Sequence, residues 1–167
     1  EPLPDAYEKQ ALKNGIDWFF NSGLILHPSM LDQYDKPSNT PDPSVADPDL
    51  SQDWPYGHRI ARLPKDMPAG DGTLGILEGY DSKIYYDGSQ AVRWWSRGDC
   101  NAEVAGAMGL AGVQSGSQKY LQTSSNIGDW LFFKSMISLG DRADPFHPAY
   151  GLSGWNDSPE YCGPGTM

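Results

Sequence analysis

Residues 99–139 read DCNAEVAGAMGLAGVQSGSQKYLQTSSNIGDWLFFKSMISL. In the first part of this stretch, Val104, Met108 and Ala111 recur at helical spacing, which predicts a helix from residue 99 to residue 116. In the second part, a helix over 117–139 is predicted from the apolar stripe Ile127, Trp130, Phe133 and Ile137. The two helices are expected to form a hairpin, because small residues allow close packing at Ala102, Ala105, Gly106, Ala107 and Gly109.

A further helix is predicted near the start of the chain, over residues 7–26. Its apolar residues at helical spacing are Leu12, Ile16, Phe19 and Phe20. Asp5 is a candidate N-cap, and His27-Pro28 would stop the helix.

The first and third helices share a motif. The residues GIDWFF at 15–20 return in altered form as IGDWLF at 127–132. Recurrence of one helix type on either side of another helix is typical of an array of helical hairpins, in which each hairpin buries its face against the next. Amphipathic helices rich in aromatic residues also resemble one another by chance, and the sequence leaves both explanations open.

Two regions lack a helical period. Residues 31–98 form a long loop with a β insertion, and eight of the 14 prolines fall between Pro28 and Pro68. Short strands are predicted over 75–80, 83–86 and 90–95, the last two joined through Asp87-Gly88. The tail, residues 141–167, is rich in Gly and Pro and shows no clear helix.

Composition limits the classes of partner. The 167 residues, of which 38% are hydrophobic, predict a single globular domain with a real core. With 22 acidic and 12 basic residues, the net charge of -10 would repel phosphate backbones and anionic lipids. No apolar run approaches the roughly 20 residues that span a bilayer. We therefore expect neither nucleic acid nor a membrane as partner. Cys100 and Cys162 are either a disulfide or two free thiols.

Three features together resemble a known family group. They are the Asp-Trp helices, the segment GILEGY at 75–80 and the run RWWSRGDCNAE at 93–103. Together these features resemble sequences of the six-hairpin glycosidase superfamily, and the resemblance covers the first helix and residues 73–139. The resemblance implies a mainly α fold of helical hairpins from an (α/α)6 toroid, a carbohydrate substrate and a secreted or periplasmic location. A full toroid needs many more helices than these, so we expect the chain to be a fragment, with some catalytic residues outside it.

Carboxylates that suit glycoside hydrolysis cluster in this region. The reaction generally needs one protonated carboxyl group and one ionised carboxylate. Asp99 and Glu103 are four residues apart at the start of a predicted helix, so they share a face. Glu78 lies in a predicted strand, where a neighbouring ring would favour the protonated form that a general acid needs. These three are the predicted catalytic residues. The same positions also suit an N-cap, a first-turn dipole partner and a solvent-facing strand residue.

Aromatic and basic residues supply candidate sugar contacts. Trp18 and Trp130 belong to helical stripes and are expected in the core, whereas four other tryptophans lie in predicted strands or loops, where flat rings suit sugar C–H groups: Trp54, Trp94, Trp95 and Trp155. A cationic side chain would hold an acidic sugar, best through the bidentate fork of a guanidinium, and the candidates are Arg93, Arg97, Arg59 and His58. The predicted substrate-binding residues are Trp94, Trp95, Trp155, Arg93, His58 and Asp157, although only one of Trp94 and Trp95 can point inward from a strand.

No metal or cofactor is predicted. The three histidines show no zinc spacing, and the acids Asp42, Asp47 and Asp49 lack the pattern of a calcium loop. Neither a Gly-rich phosphate loop nor a nucleophile elbow is present in the sequence.

The predicted function is a glycoside hydrolase that acts on a polysaccharide or oligosaccharide through an acidic pair. The alternatives are a polysaccharide lyase on the same fold, in which His58, Tyr80, Tyr85 or Tyr86 would be the base, and a non-catalytic glycan-binding protein. A further alternative is an interaction domain whose aromatic residues only pack a core.

Overall fold

The computed structural model describes residues 3–4, 6–30, 60–62, 68–84, 86–93, 95–135 and 137–155. Within these ranges the elements are helix α1 (Tyr7–Asn21), strands β1 (Ile60–Arg62), β2 (Gly79–Ile84) and β3 (Gln90–Arg93), and helices α2 (Gly98–Ser115) and α3 (Gln118–Phe133). Short 3₁₀ helices span Pro28–Met30 and Gly140–Ala143. The predicted combination of helices with a small β insertion is confirmed.

Helix α1 ends earlier than the sequence predicts. The prediction ran over 7–26, but α1 ends at Asn21, and Gly23 follows with a φ of 74°, which breaks the helical path. The next three residues, Leu24 to Leu26, are buried, and Ile25 pairs with Ile76 in an antiparallel bridge. These three residues are apolar because they form an extended segment of the core. A search for helical spacing cannot distinguish such a segment from one more turn of helix.

Helices α2 and α3 form the predicted hairpin. Gly116 closes α2 with a φ of 70°, and the Ser117 hydroxyl accepts a hydrogen bond from the Tyr120 amide at 3.4 Å as the N-cap of α3. The helices approach closely at Gly112, where an added Cβ would lie 2.7 Å from the Leu121 side chain. Of the small residues named from the sequence, Gly109 lies at this contact, where an added Cβ would be 3.0 Å from Ser124 Oγ, whereas Gly106 has nothing within 4 Å, and Gly112 was not predicted.

Helix α3 ends at Phe133, before the predicted end at residue 139. Lys134 leaves the helical conformation with a φ of -132°, and the Ser135 hydroxyl donates to the Leu131 carbonyl at 2.9 Å. Ile137 is fully buried from a turn beyond the helix. It continues the apolar pattern of α3 without belonging to the helix, which explains the wrong boundary.

The sheet is antiparallel, with strand order β1-β3-β2. Strands β2 and β3 form a hairpin through the predicted Asp87-Gly88 turn, in which Gly88 has a φ of 80° and the Asp87 carboxylate accepts from the Ser89 amide at 3.0 Å. The prediction of separate strands over 75–80 and 83–86 is wrong, because one strand, β2, spans Gly79–Ile84. The residues just before β2 instead form hydrogen bonds to the extended segment that follows α1 and to α2.

A buried amide connects these parts. The Asn101 side chain accepts a hydrogen bond from the Ile76 amide at 2.9 Å and donates to the Ile76 carbonyl at 3.1 Å. The Ser96 hydroxyl also donates to that carbonyl, at 2.7 Å. Gly75 passes so close that an added Cβ would lie 2.4 Å from the Trp130 ring and 2.6 Å from Asn101 Oδ1. We call this arrangement of Asn101, Ile76 and Ser96 the amide clamp.

Helix α1 packs beside the start of α3. The Phe20 ring stacks on Tyr120, with centroids 5.9 Å apart, and the Lys119 ammonium lies 3.7 Å from the Phe20 ring centroid. The Tyr120 hydroxyl donates to the Asp17 carboxylate at 2.5 Å, and Lys13 pairs with the same carboxylate. Stacking and hydrogen bonding therefore both hold α1 against the hairpin.

The shared Asp-Trp motif does not take equivalent positions. Trp130 is 5% exposed and lies in the core, as predicted. Trp18 is 48% exposed, which contradicts the predicted core position, and it contacts Phe19 and Tyr80 edge-to-face. Across the described ranges, the structure contains no helix with both the length and the apolar character needed to cross a membrane.

We expect Asn101→Ala to destabilise the protein by about 3 kcal/mol, because it leaves the buried Ile76 amide without a partner and opens a cavity. Urea denaturation would measure the change. Asn126→Ala is the matched control, since the Asn126 side chain on α3 also makes two hydrogen bonds, accepting from Gln122 and donating to the Asp71 carbonyl, but at exposed sites. The control should cost about 1 kcal/mol or less. Equal losses in the two variants would contradict the role of the clamp.

Stability should also depend on Asp17 at acid pH. Hydrogen bonds from Lys13 and then Tyr120 lower the pKa of Asp17. A lowered pKa in the folded state stabilises the protein above the ordinary pKa of Asp, and this contribution is lost as the pH falls. Asp17→Asn should therefore flatten the decline in the free energy of unfolding between about pH 5 and pH 2. Asp129→Asn, at the equivalent position of the motif in α3, should retain the decline of the wild type.

Candidate functional site

Glu78 lies at the centre of the candidate site. Its amide donates to the Trp95 carbonyl at 2.8 Å, and it follows Ile76 and Leu77, which are both buried. The carboxylate is 10% exposed and accepts hydrogen bonds from Arg93 Nη1 at 2.8 Å and from Arg97 Nη1 at 3.2 Å. Its hydrogen-bonding neighbours are thus two guanidinium groups, whereas the sequence prediction placed an aromatic ring beside it.

Arg93 links Glu78 to the β-hairpin. It is the last residue of β3, opposite Gly79 of β2, and its Nε donates to Asp81 at 3.3 Å. Burial opposes the charged guanidinium, but the hydrogen bonds to Glu78 and Asp81 outweigh it and raise the pKa of Arg93. The residue therefore stays charged while it holds two carboxylates.

Arg97 links Glu78 to the start of α2. Its Nη2 pairs with Asp99, and its carbonyl accepts from the Asn101 side chain at 2.8 Å. Burial opposes its charge as well, but the hydrogen bonds to Glu78 and Asp99 raise the pKa of Arg97. Arg97 thus bridges two of the three predicted catalytic residues, and the amide clamp fixes its backbone.

Trp155 covers Arg97. The Trp155 carbonyl accepts from the Gly98 amide at 2.9 Å, so the tail docks on the first residue of α2. The Arg97 guanidinium carbon lies 4.6 Å from the centroid of the Trp155 ring, within the range of a cation–π contact. Trp155 remains 49% exposed. The contact with Arg97 orients the indole ring, while much of the side chain still faces solvent.

Glu78, Asp81, Asp99, Arg93 and Arg97 form what we call the acid–arginine cluster. Its three carboxylates and two guanidinium groups leave one excess negative charge at neutral pH. Carboxylate oxygens accept hydrogen bonds from hydroxyl groups, guanidinium nitrogens donate them, and an adjacent indole binds apolar C–H faces. The arrangement therefore has the chemical groups that recognise a sugar.

Not every predicted site residue joins this cluster. Glu103 is exposed on α2, one turn beyond Asp99, and forms no ion pair with any residue that the structure describes. Trp95 is 5% exposed, so its ring packs inside the protein and does not offer a face to substrate. Trp94, His58 and Asp157 lie outside the described residues, as do Trp54 and Arg59.

The tyrosines considered as lyase bases lie in different settings. The Tyr80 hydroxyl donates to the Ser22 carbonyl at 2.6 Å, and burial raises the pKa of Tyr80. Tyr86 is fully exposed at the start of the β-hairpin turn. Tyr85 lies outside the described residues.

Asp81 was not among the site residues predicted from the sequence. The register of the β-hairpin could have identified it, because β2 pairs with β3 beside Arg93 and opposite charges on facing strands favour contact. The register shift between Tyr80 and Ile84 hides this pairing from simple alternation. Strand pairing therefore supplies a site residue that local motifs do not.

Cys100 lies next to the cluster with a free thiol. Burial, reinforced by the charge of Asp99, raises the pKa of Cys100 to about 11. Cys162, with which the sequence left a disulfide open, lies outside the described residues. In the part of the chain that the structure describes, no group of three or more His, Cys, Asp and Glu side chains is placed to hold a metal ion.

Comparison of the chain with protein-family models, with curated proteins and with solved structures found no match. The acid–arginine cluster and Trp155 are therefore the features of the molecule that bear on function.

Proposed function

We propose that this chain belongs to a carbohydrate-active protein that binds a sugar at the acid–arginine cluster and hydrolyses a glycosidic bond of a polysaccharide or oligosaccharide. One observation carries the proposal. Arg97 joins the carboxylates of Glu78 and Asp99 and lies against the half-exposed ring of Trp155. Carboxylates beside an aromatic platform are the groups that glycoside hydrolysis uses.

The two carboxylates would take different roles. Glu78 is nearly buried between two guanidinium groups, so it suits the ionised carboxylate that stabilises positive charge or activates water. The Asp99 side chain is 46% exposed and pairs with Arg97, so it suits an acceptor for a sugar hydroxyl at the open side of the cluster. Glu103 follows one turn later on α2, is exposed and forms no ion pair with a described residue, so it is the candidate proton donor.

Non-catalytic glycan binding is the second candidate function. The observation that favours it is the full engagement of the acids, because Glu78, Asp81 and Asp99 all pair with arginine. A carboxylate paired with a guanidinium is a poor proton donor but a good acceptor for sugar hydroxyls. In that case Trp155 and the cluster would bind a glycan without cleaving it. Of the candidate lyase bases, the Tyr80 hydroxyl is committed to the Ser22 carbonyl.

Reducing-sugar release from a panel of neutral and uronic-acid polysaccharides would test hydrolysis by the 167-residue chain. We expect Glu103→Gln to lower the rate about a hundredfold, because it removes the group that transfers a proton. Asp129→Asn makes the same chemical change at an exposed site on α3 and should keep the rate of the wild type. Asp99→Asn, measured alongside, should lower the rate less, because it removes a sugar contact and not the proton donor. Full activity in both the Asp99 and Glu103 variants would contradict the proposed roles.

Glycan binding itself depends on Trp155 in both candidate functions. We expect Trp155→Ala to weaken binding about tenfold, because the stacking surface is lost. Trp18→Ala is the matched control, since Trp18 is equally exposed but lies on α1. Calorimetry with the polysaccharide panel would measure both. Binding without hydrolysis by the wild type would favour the glycan-binding function, and absence of both would refute the sugar site.

A further inference from the structure

A groove separate from the acid–arginine cluster lies between α1 and the connection of α2 to α3. Its volume is about 630 Å³, and the residues that matter for its chemistry are Lys9, Leu12, Lys13, Ala111, Gln114 and Tyr120. This volume is within the usual range of small-molecule sites, about 300–1,000 Å³. The groove is at the opposite end of α2 from Asp99, since the rise from Asp99 to Ser115 is about 24 Å.

The inner wall of the groove is apolar. Ala111 and Tyr120 are buried there, and Leu12 on α1 faces them across the groove while remaining partly exposed. The Tyr120 hydroxyl is committed to Asp17, so the ring is what this residue offers to a ligand. An apolar chain or ring would displace water from this wall and gain by the hydrophobic effect.

The charge at the rim is positive, in a chain whose net charge is -10. Lys13 is neutralised by its ion pair with Asp17. Lys9, by contrast, forms no ion pair with a described residue, and Glu8 beside it points about 100° away around the helix. Among the described residues, Lys9 is therefore a cation without an ion-pair partner beside an apolar wall.

We propose that this groove binds a hydrophobic monocarboxylate, with the carboxylate at Lys9 and the apolar body against Leu12, Ala111 and Tyr120. The Lys9 ammonium, which no described carboxylate pairs with, matches a single negative charge, and the apolar wall matches an aliphatic or aromatic body. The inference is independent of the proposed sugar site, because no lining residue of the groove belongs to the acid–arginine cluster.

Titration of the full chain with octanoate, followed by amide chemical shifts in NMR spectra, tests this site. We expect saturable shifts at Lys9, Leu12, Ala111 and Gln114, with the amides of Arg97 and Asp99 unmoved. Octan-1-ol has the same apolar body without the charge and should bind more weakly. Octanoate shifts spread evenly over the chain, or equal affinity for the alcohol, would overturn the proposal.

Substitution separates the charge from the apolar wall. Lys9→Gln should weaken octanoate binding about three- to fivefold, the size expected of an exposed ion pair, and leave octan-1-ol binding unchanged. Lys134→Gln, an equally charged change in the exposed residue after α3, should alter neither. Leu12→Ala should weaken both ligands. Equal effects of the two lysine variants would show that octanoate responds only to overall charge, which would refute the site.

Discussion

The two hydrogen bonds between the Asn101 side chain and the backbone of Ile76 are the constraint on which the rest of the structure depends. A primary amide has a donor and an acceptor side by side, so it can satisfy both polar groups of one extended residue as a neighbouring strand would. This matters because Ile76 is buried, and an unpaired backbone amide there would cost about 1–3 kcal/mol. The amide clamp thus lets an irregular segment run through the core without a full sheet around it.

The clamp also determines where the charged residues lie. Glu78 follows Ile76 by two residues, and Arg97 is held through its carbonyl by the same Asn101 amide. The ion pair between these residues is therefore fixed from both sides by backbone that the core holds. Arg97 in turn orients Trp155 and Asp99, so one core interaction reaches the surface through a short chain of contacts. Charged groups held in this way lose less side-chain entropy on binding than free surface residues do.

Local patterns in the sequence predicted the helices well and their ends poorly. The hairpin of α2 and α3 follows from spacing, small residues and a glycine, all of which act within a few positions. The ends of α1 and α3 were missed because Leu24 and Ile137 continue an apolar pattern while packing from outside the helices. Most of the acid–arginine cluster could be predicted from the sequence, because Arg93, Arg97 and Asp99 lie within one short run. Burial of Trp95 and the place of Asp81 depend on strand pairing and long-range packing, which local patterns do not contain.

The repeated Asp-Trp motif shows how tertiary context changes the meaning of one pattern. In α3 the tryptophan packs in the core against Gly75, whereas in α1 it lies half exposed beside Tyr80. The aspartates differ as well, because Asp17 binds Lys13 and Tyr120 while Asp129 is exposed. An array of equivalent hairpins would bury equivalent positions, so within the described residues the motif reflects shared amphipathic composition more than repeated packing. In α1 the motif provides a different contact, the hydrogen bond from Tyr120 to Asp17. That bond holds α1 against the start of α3, and the same Asp17 carboxylate pairs with Lys13 on the preceding turn of α1.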